Sequence, residues 1–184
     1  NSMRRDLTEA DLEELARYYD SEIAFTDQQI GRVLDHLRDT GAFDETLIIV
    51  TADHGEEFLD HGKLGPAKTL FEELVGVPLV IKFPGARAAV VEQPVGLLDL
   101  YPTITEMVGV AAPSSLRGRS LVDTASGRLR VPDEVFSETS RHSELRGLVE
   151  GSHKLVLDLE TDDVVRVLEI PYLPNEHPPI SVTG

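Results

Sequence analysis

The sequence predicts an α/β portion followed by a small antiparallel portion. Three observations carry that expectation. Residues 8–40 repeat apolar side chains at three-four spacing, the mark of a helix with one apolar face. The run Ile48-Ile49-Val50 stops abruptly on Asp53-His54-Gly55, as a strand does where it leaves a sheet. The last third changes to short apolar segments separated by turn residues, the pattern of antiparallel strands.

Taken in order, Leu12, Leu15, Tyr19, Ile23, Ile30, Val33, Leu34 and Leu37 form a stripe expected to be buried. Thr8 suits the N-cap of that helix with Asp11 at its third position, and Gly41 suits the stop. Residues 47–51, bounded by Gly41 and Gly55, read as a buried parallel strand. A polar loop over 53–66 follows, and Pro66 suits the first turn of a short helix at 67–74. Residues 78–83 form a second strand closed by Pro84-Gly85, and 90–95 offer a third. Residues 97–108 read as a helix ending at Gly109, ahead of a Pro-, Ser- and Gly-rich loop over 112–120. Short strands are expected at 135–138, 146–150, 154–159 and 164–170, the last two pairing across the turn at 160–163. The prolines of 171–184 predict an irregular tail. The boundary between the two portions falls at 125/126.

Composition narrows the chemistry. A chain of 184 residues with 41% hydrophobic content can build a real core. Cysteine is absent, so this chain holds no disulfide, zinc-thiolate site or thiol nucleophile. A net charge of −16 disfavours nucleic acid and anionic membranes as partners. No apolar stretch approaches the roughly 18 residues that span a bilayer. Met3-Arg4-Arg5 is not expected to begin a secretory signal, and Asn1-Ser2 before it resembles a cloning scar, which would put the native start out of view.

The loop after the apolar run gathers the reactive side chains. Asp53 and His54 offer a carboxylate oxygen and an imidazole nitrogen, a donor pair suited to Mn, Zn or Ca ions. Gly55 permits the turn needed for both to reach one ion. The alternative is that Asp53 caps the next element and His54 lies on the surface. Lys68, at the expected helix start beside Thr69, suits an oxyanion, or is an ordinary solvated lysine. His61 is a ligand, a general acid or a surface histidine, while Glu56 and Glu57 read as solvated acids. The stretch Gly62-Lys63-Leu64-Gly65-Pro66-Ala67-Lys68-Thr69 imitates a phosphate loop, but Ala67 replaces its glycine and Pro66 removes a backbone donor.

Four ordered blocks resemble the sulfatases, within the alkaline phosphatase superfamily. They are the helix from Tyr18-Tyr19-Asp20-Ser21 through Gly31-Arg32-Val33-Leu34; Thr51-Ala52-Asp53-His54-Gly55-Glu56; Lys68-Thr69-Leu70-Phe71 with Val77-Pro78-Leu79-Val80-Ile81 and Phe83-Pro84-Gly85; and Leu98-Asp99-Leu100-Tyr101-Pro102-Thr103-Ile104 with Gly118-Arg119-Ser120-Leu121. The resemblance implies the C-terminal half of a sulfatase-like α/β core with flanking helices over 1–125, and a small antiparallel α+β subdomain over 126–184. It implies Asp53 and His54 as two ligands of one divalent metal ion (Ca, Mn, Mg or Zn). Lys68 would contact the sulfate group and stabilise the leaving oxygen, with His61 in the same pocket. The substrate would be a small-molecule sulfate ester, or a phosphate or phosphonate ester, since many sulfatases carry asparagine where His54 stands. The family's Asp-Asp pair and its Cys/Ser-x-Pro-x-Arg motif, the source of formylglycine, have no counterpart here. The chain is therefore expected to be inactive alone, and its uncovered apolar edge to favour self-association.

Overall fold

The computed structural model describes residues 7–59, 61–62, 64–65, 69–91, 93–125, 134–139, 144–151, 153–161 and 163–169. They form two compact units. The first takes residues from Asn1–Thr51, Glu56–Ala67 and Pro78–Ala86, and the second from Ala52–Gly55, Lys68–Val77 and Arg87–Gly184.

In the first unit, helix α1 runs unbroken over Glu9–Asp39. Its start is a capping box: the Thr8 N–H and hydroxyl donate to Asp11 Oδ2 at 2.8 and 2.7 Å, and the Asp11 N–H donates to Thr8 Oγ1 at 3.2 Å. Glu9 and Asp11 in the first turn, and His36 and Arg38 in the last, match the helix dipole. Gly41, at φ 74°, takes the left-handed position that ends the helix, and the Ala42 and Phe43 N–H groups return to the Leu37 carbonyl.

The expected burial of the α1 stripe is not found. No residue of the helix is buried, and Ile23 and Val33 are 52% and 60% exposed. Periodicity decides which face is apolar; it does not supply the element that covers it.

Strand β1 (Ile48–Thr51) pairs with β4 (Leu79–Lys82), from Ile48 opposite Lys82 to Thr51 opposite Leu79. This pairing is antiparallel, which corrects the expected parallel strand, and Ile48, Ile49 and Val50 are only half-buried. An apolar run reports a demand for burial and says nothing about the direction of its neighbour. Lys82 closes the pair: its Nζ donates to the Asp44 and Thr46 carbonyls at 3.1 and 3.2 Å and lies 4.8 Å from the Phe43 ring centre. The expected polar loop contains a small hairpin of β2 (Glu57–Phe58) and β3 (Leu64–Gly65).

The second unit holds the buried apolar side chains Leu70, Leu74, Pro102, Leu121 and Val156. Helix α2 is one turn over Glu72–Val75, so the helix expected at 67–74 begins later and is shorter. No strand occurs among the described residues of 90–95. A 3-10 turn over Leu97–Asp99 leads into α3 (Leu100–Met107), and Gly109 follows at φ 70°.

Asp99 ties together the two parts of the fourth motif block. Its carboxylate accepts from the Gly96 N–H at 2.9 Å and from the Arg119 N–H at 2.8 Å. The Thr103 hydroxyl, wholly buried, accepts the Leu121 N–H at 2.9 Å. A Cβ at Gly118 would overlap the Leu98 carbonyl, so the approach requires glycine there.

After α4 (Val122–Ala125), β5 (Glu134–Thr139), β6 (Leu145–Glu150), β7 (His153–Asp158) and β8 (Asp163–Glu169) form an antiparallel meander in sequence order. The last two strands pair as the sequence predicts, with a register shift at Val156/Leu157. The expected tail at 171–184 lies outside the described residues.

The capping box has a pH signature. The Thr8 hydroxyl, and then the Thr8 backbone N–H, hold the Asp11 carboxyl below its ordinary value. A depressed folded value means that the cap's contribution is present above the unfolded carboxyl's pKa and is lost as pH falls through the folded one. Helical circular dichroism should therefore lose an acid-sensitive component in Asp11→Asn. An unchanged acid limb in that variant would refute the assignment.

Candidate functional site

β1 ends at Thr51, and the chain passes at Ala52 into the four-residue segment that carries Asp53, His54 and Gly55. The segment is held by backbone. The Gly55 N–H donates to the Leu74 carbonyl of α2 at 2.8 Å, and a Cβ at Gly55 would fall on the Glu73 carbonyl oxygen. Only glycine allows two stretches of main chain this close.

Held in this way, Asp53 and His54 stand exposed and adjacent. The His54 N–H donates to Asp53 Oδ1 at 3.0 Å, which folds the carboxylate back over its own turn. His54 Nδ1 lies 2.8 Å from the Gly55 carbonyl oxygen. A carbonyl can only accept, so the hydrogen is assigned to Nδ1, and the neutral ring keeps its lone pair on Nε2. Metal-binding histidines are commonly oriented by such a bond from the other ring nitrogen. The donor chemistry of the pair thus fits a divalent cation.

The remaining expected site residues fare differently. Lys68 lies outside the described residues, and α2 starts four positions later, so the described helix start is not at Lys68. α2 has Phe71 at its N-cap without a side-chain capping bond. Thr69, beside Lys68, has its hydroxyl oxygen buried with no hydrogen-bond partner among the described residues. His61 is exposed in the first unit and brings a ring nitrogen within 4.8 Å of a Glu57 carboxylate oxygen.

Glu57 corrects an expectation. It was expected to be a solvated acid, yet it is wholly buried, with neither carboxylate oxygen partnered among the described residues. Glu57 stands opposite Gly65 in the β2–β3 hairpin. A buried carboxylate without a donor is costly, and such groups concentrate at functional sites.

Sequence reasoning also missed what holds α2. Lys154 on β7 is 1% exposed, and its Nζ donates to Glu72 Oε2 at 2.7 Å. Gly147 on β6 faces Leu70, where an added Cβ would come within 3.3 Å of Leu70 Cδ1. The one signal in the sequence was a lysine sharing a strand face with Val156.

Comparisons with known proteins agree in direction. The family model described as Sulfatase matches residues 3–110. The chain is 35% identical over 120 residues to arylsulfatase K of Danio rerio, covering 65% of this chain and 23% of that protein. It thus spans about a quarter of the length of that curated relative. Among solved structures, the phosphonate monoester hydrolase SpPMH from Silicibacter pomeroyi matches with a TM-score of 0.69 at 32% identity, over 78% of this chain and 32% of that one. A 2-O GAG sulfatase matches with a TM-score of 0.78 at 23% identity, over 91% and 38%, and bears on the fold alone. The architecture is that of the alkaline-phosphatase-like fold.

Gly55→Ala tests the backbone grip directly. The added methyl has nowhere to go, and the expected cost is about 1–3 kcal/mol, the range for overpacking. Denaturant unfolding should read it, with the Gly55 region losing amide protection; a variant as stable as the parent would remove the constraint.

Proposed function

We propose that this chain, which belongs to the sulfatase family, supplies one half of the metal site of a longer ester hydrolase acting on small-molecule sulfate esters. The observation that carries this reading is the bond from His54 Nδ1 to the Gly55 carbonyl, the kind of anchor through one ring nitrogen that commonly orients metal-binding histidines, with Asp53 the preceding residue. Residues 1–125 are then the C-terminal half of the α/β core, and 126–184 the small antiparallel subdomain. Asp53 and His54 are the proposed ligands. The cation, when bound, would neutralise oxygens of the anionic ester and activate a hydroxyl nucleophile.

Lys68 is the proposed cationic contact to the ester, its ammonium offsetting charge on the alcohol oxygen as the S–O bond breaks. His61 is proposed to line the same pocket. This chain has no cysteine and no Ser-x-Pro-x-Arg motif, so a formylglycine nucleophile, if the protein uses one, lies outside it, and the remaining metal ligands are proposed to do so as well. On the apolar face of α1, Tyr19 packs edge-on to Phe58 while Ile23 and Val33 stay exposed, and that exposed part supports self-association of the chain on its own.

A second reading keeps the site and changes the ester to a phosphate or phosphonate monoester. His54, where many sulfatases carry asparagine, and the likeness to a phosphonate monoester hydrolase at 32% identity favour it. A non-catalytic interaction module is the reading left if neither ester is cleaved.

In the full-length protein, Asp53→Ala should lose bound metal by elemental analysis and reduce kcat/KM by at least about a hundredfold, the loss typical of a ligand to a catalytic ion. Retained metal would sink the ligand assignment. Parallel assays with an aryl sulfate and a phenyl phosphonate monoester separate the two substrate readings. The 184-residue chain alone should turn over neither, and sedimentation velocity should detect species larger than one chain. Robust hydrolysis by it would overturn the half-site reading.

A further inference from the structure

We propose that Lys154 is a positioning residue for the Asp53-His54 turn, acting through Glu72 and α2. The proposal rests on the reading of that turn as half of a metal site. Every residue in the argument belongs to the second unit.

Helix α2 cannot hold itself in place. Four residues make one turn, far below the length at which a helix is stable on its own, and Phe71 caps it without a side-chain bond. Its position must come from what it packs on. Leu70, just before it, and Leu74, within it, are buried, and Leu70 lies against Gly147 of β6. Such apolar contacts are non-directional and do not by themselves set the angle of a single turn.

The ion pair supplies a directional contact between α2 and the sheet. Lys154 Nζ reaches Glu72 Oε2 at 2.7 Å from a site that is 1% exposed, while the Glu72 side chain remains 46% exposed. A buried ammonium has to find an anion, so the sheet effectively demands a carboxylate at that point. Glu72 is the first residue of α2, and satisfying Lys154 fixes where the turn begins. Gly76 makes room: a Cβ there would lie 2.7 Å from Glu72 Oε1.

The far side of the same turn grips the candidate ligands. The Leu74 carbonyl accepts the Gly55 N–H at 2.8 Å, and the Glu73 carbonyl occupies the space a side chain at Gly55 would need. His54 Nδ1 in turn bonds the Gly55 carbonyl. Lys154, 82 residues from Glu72 along the chain, thereby orients the donor pair without touching it.

The test uses Glu72→Gln, Lys154→Met, their combination and Lys154→Arg in the 184-residue chain. Three readouts are taken: Gly55 amide exchange, the ¹⁵N shifts of the His54 ring, and Mn²⁺ affinity. Each of the first two variants should speed Gly55 exchange about tenfold or more relative to β7 amides, move the His54 ring away from its Nδ1–H form, and weaken Mn²⁺ binding. The double variant should be no worse than either single one, and Lys154→Arg should retain most of the protection because it keeps the charge. Should Lys154→Met fail to fold, Glu72→Gln, at a half-exposed side chain, carries the test. A folded Glu72→Gln chain with unchanged Gly55 exchange overturns the proposal, as does a Gly55 amide already unprotected in the parent. Absence of Mn²⁺ binding by the parent would count against the metal reading alone, leaving exchange and ring shifts to decide the role of Lys154.

Discussion

Two stretches of main chain can approach as closely as those at Gly55 and Glu73 only if one of them has no side chain. The candidate turn and its grip on α2 are arranged around that contact. It lets the Gly55 N–H find the Leu74 carbonyl, and it lets the His54 ring turn back onto the Gly55 carbonyl. The candidate donor atoms therefore lie on a segment gripped by α2 through main chain, with the Asp53 and His54 side chains bonding only within the turn's own backbone among the bonds described above. Main-chain anchoring of this kind suits a functional turn, because it fixes the backbone from which the donor side chains project.

Much of the local architecture was legible because its chemistry is local. Thr8 and Asp11 are three residues apart, and their reciprocal bonds need nothing else from the chain. Gly41, Gly85 and Gly109 adopt positive φ at the boundaries where glycine punctuation predicts them. The meander follows from turn residues between alternating strands, each pairing with its neighbour in sequence.

What escaped depends on distant partners. Ile48–Thr51 announces a strand, yet its antiparallel direction is decided by 79–82. Glu57, opposite Gly65, looks like any of the chain's 33 acids until the fold buries it. Lys154 shares a strand face with Val156 and so calls for an anion, but nothing in the pattern says that Glu72 answers. The missed features have this in common: each is a pairing between residues whose separation carries no periodic signal. Asp53 and His54 stand out in the sequence because they follow the end of a strand, a position that draws attention without knowledge of the partner.

The clasp at Asp99 has a consequence for evolvability. One carboxylate bonds the N–H groups of Gly96 and Arg119, while Gly118 nests on Leu98. The ends of the intervening excursion are thus closed upon each other independently of what lies at its tip. Lengthening such a closed loop costs only about 0.6 kcal/mol per doubling. The residues between Gly109 and Arg117 are consequently a place where insertions and new surface chemistry can accumulate while the clasp beneath them stays unaltered. A clasp of this kind converts a stretch of chain from a structural obligation into a site open to variation.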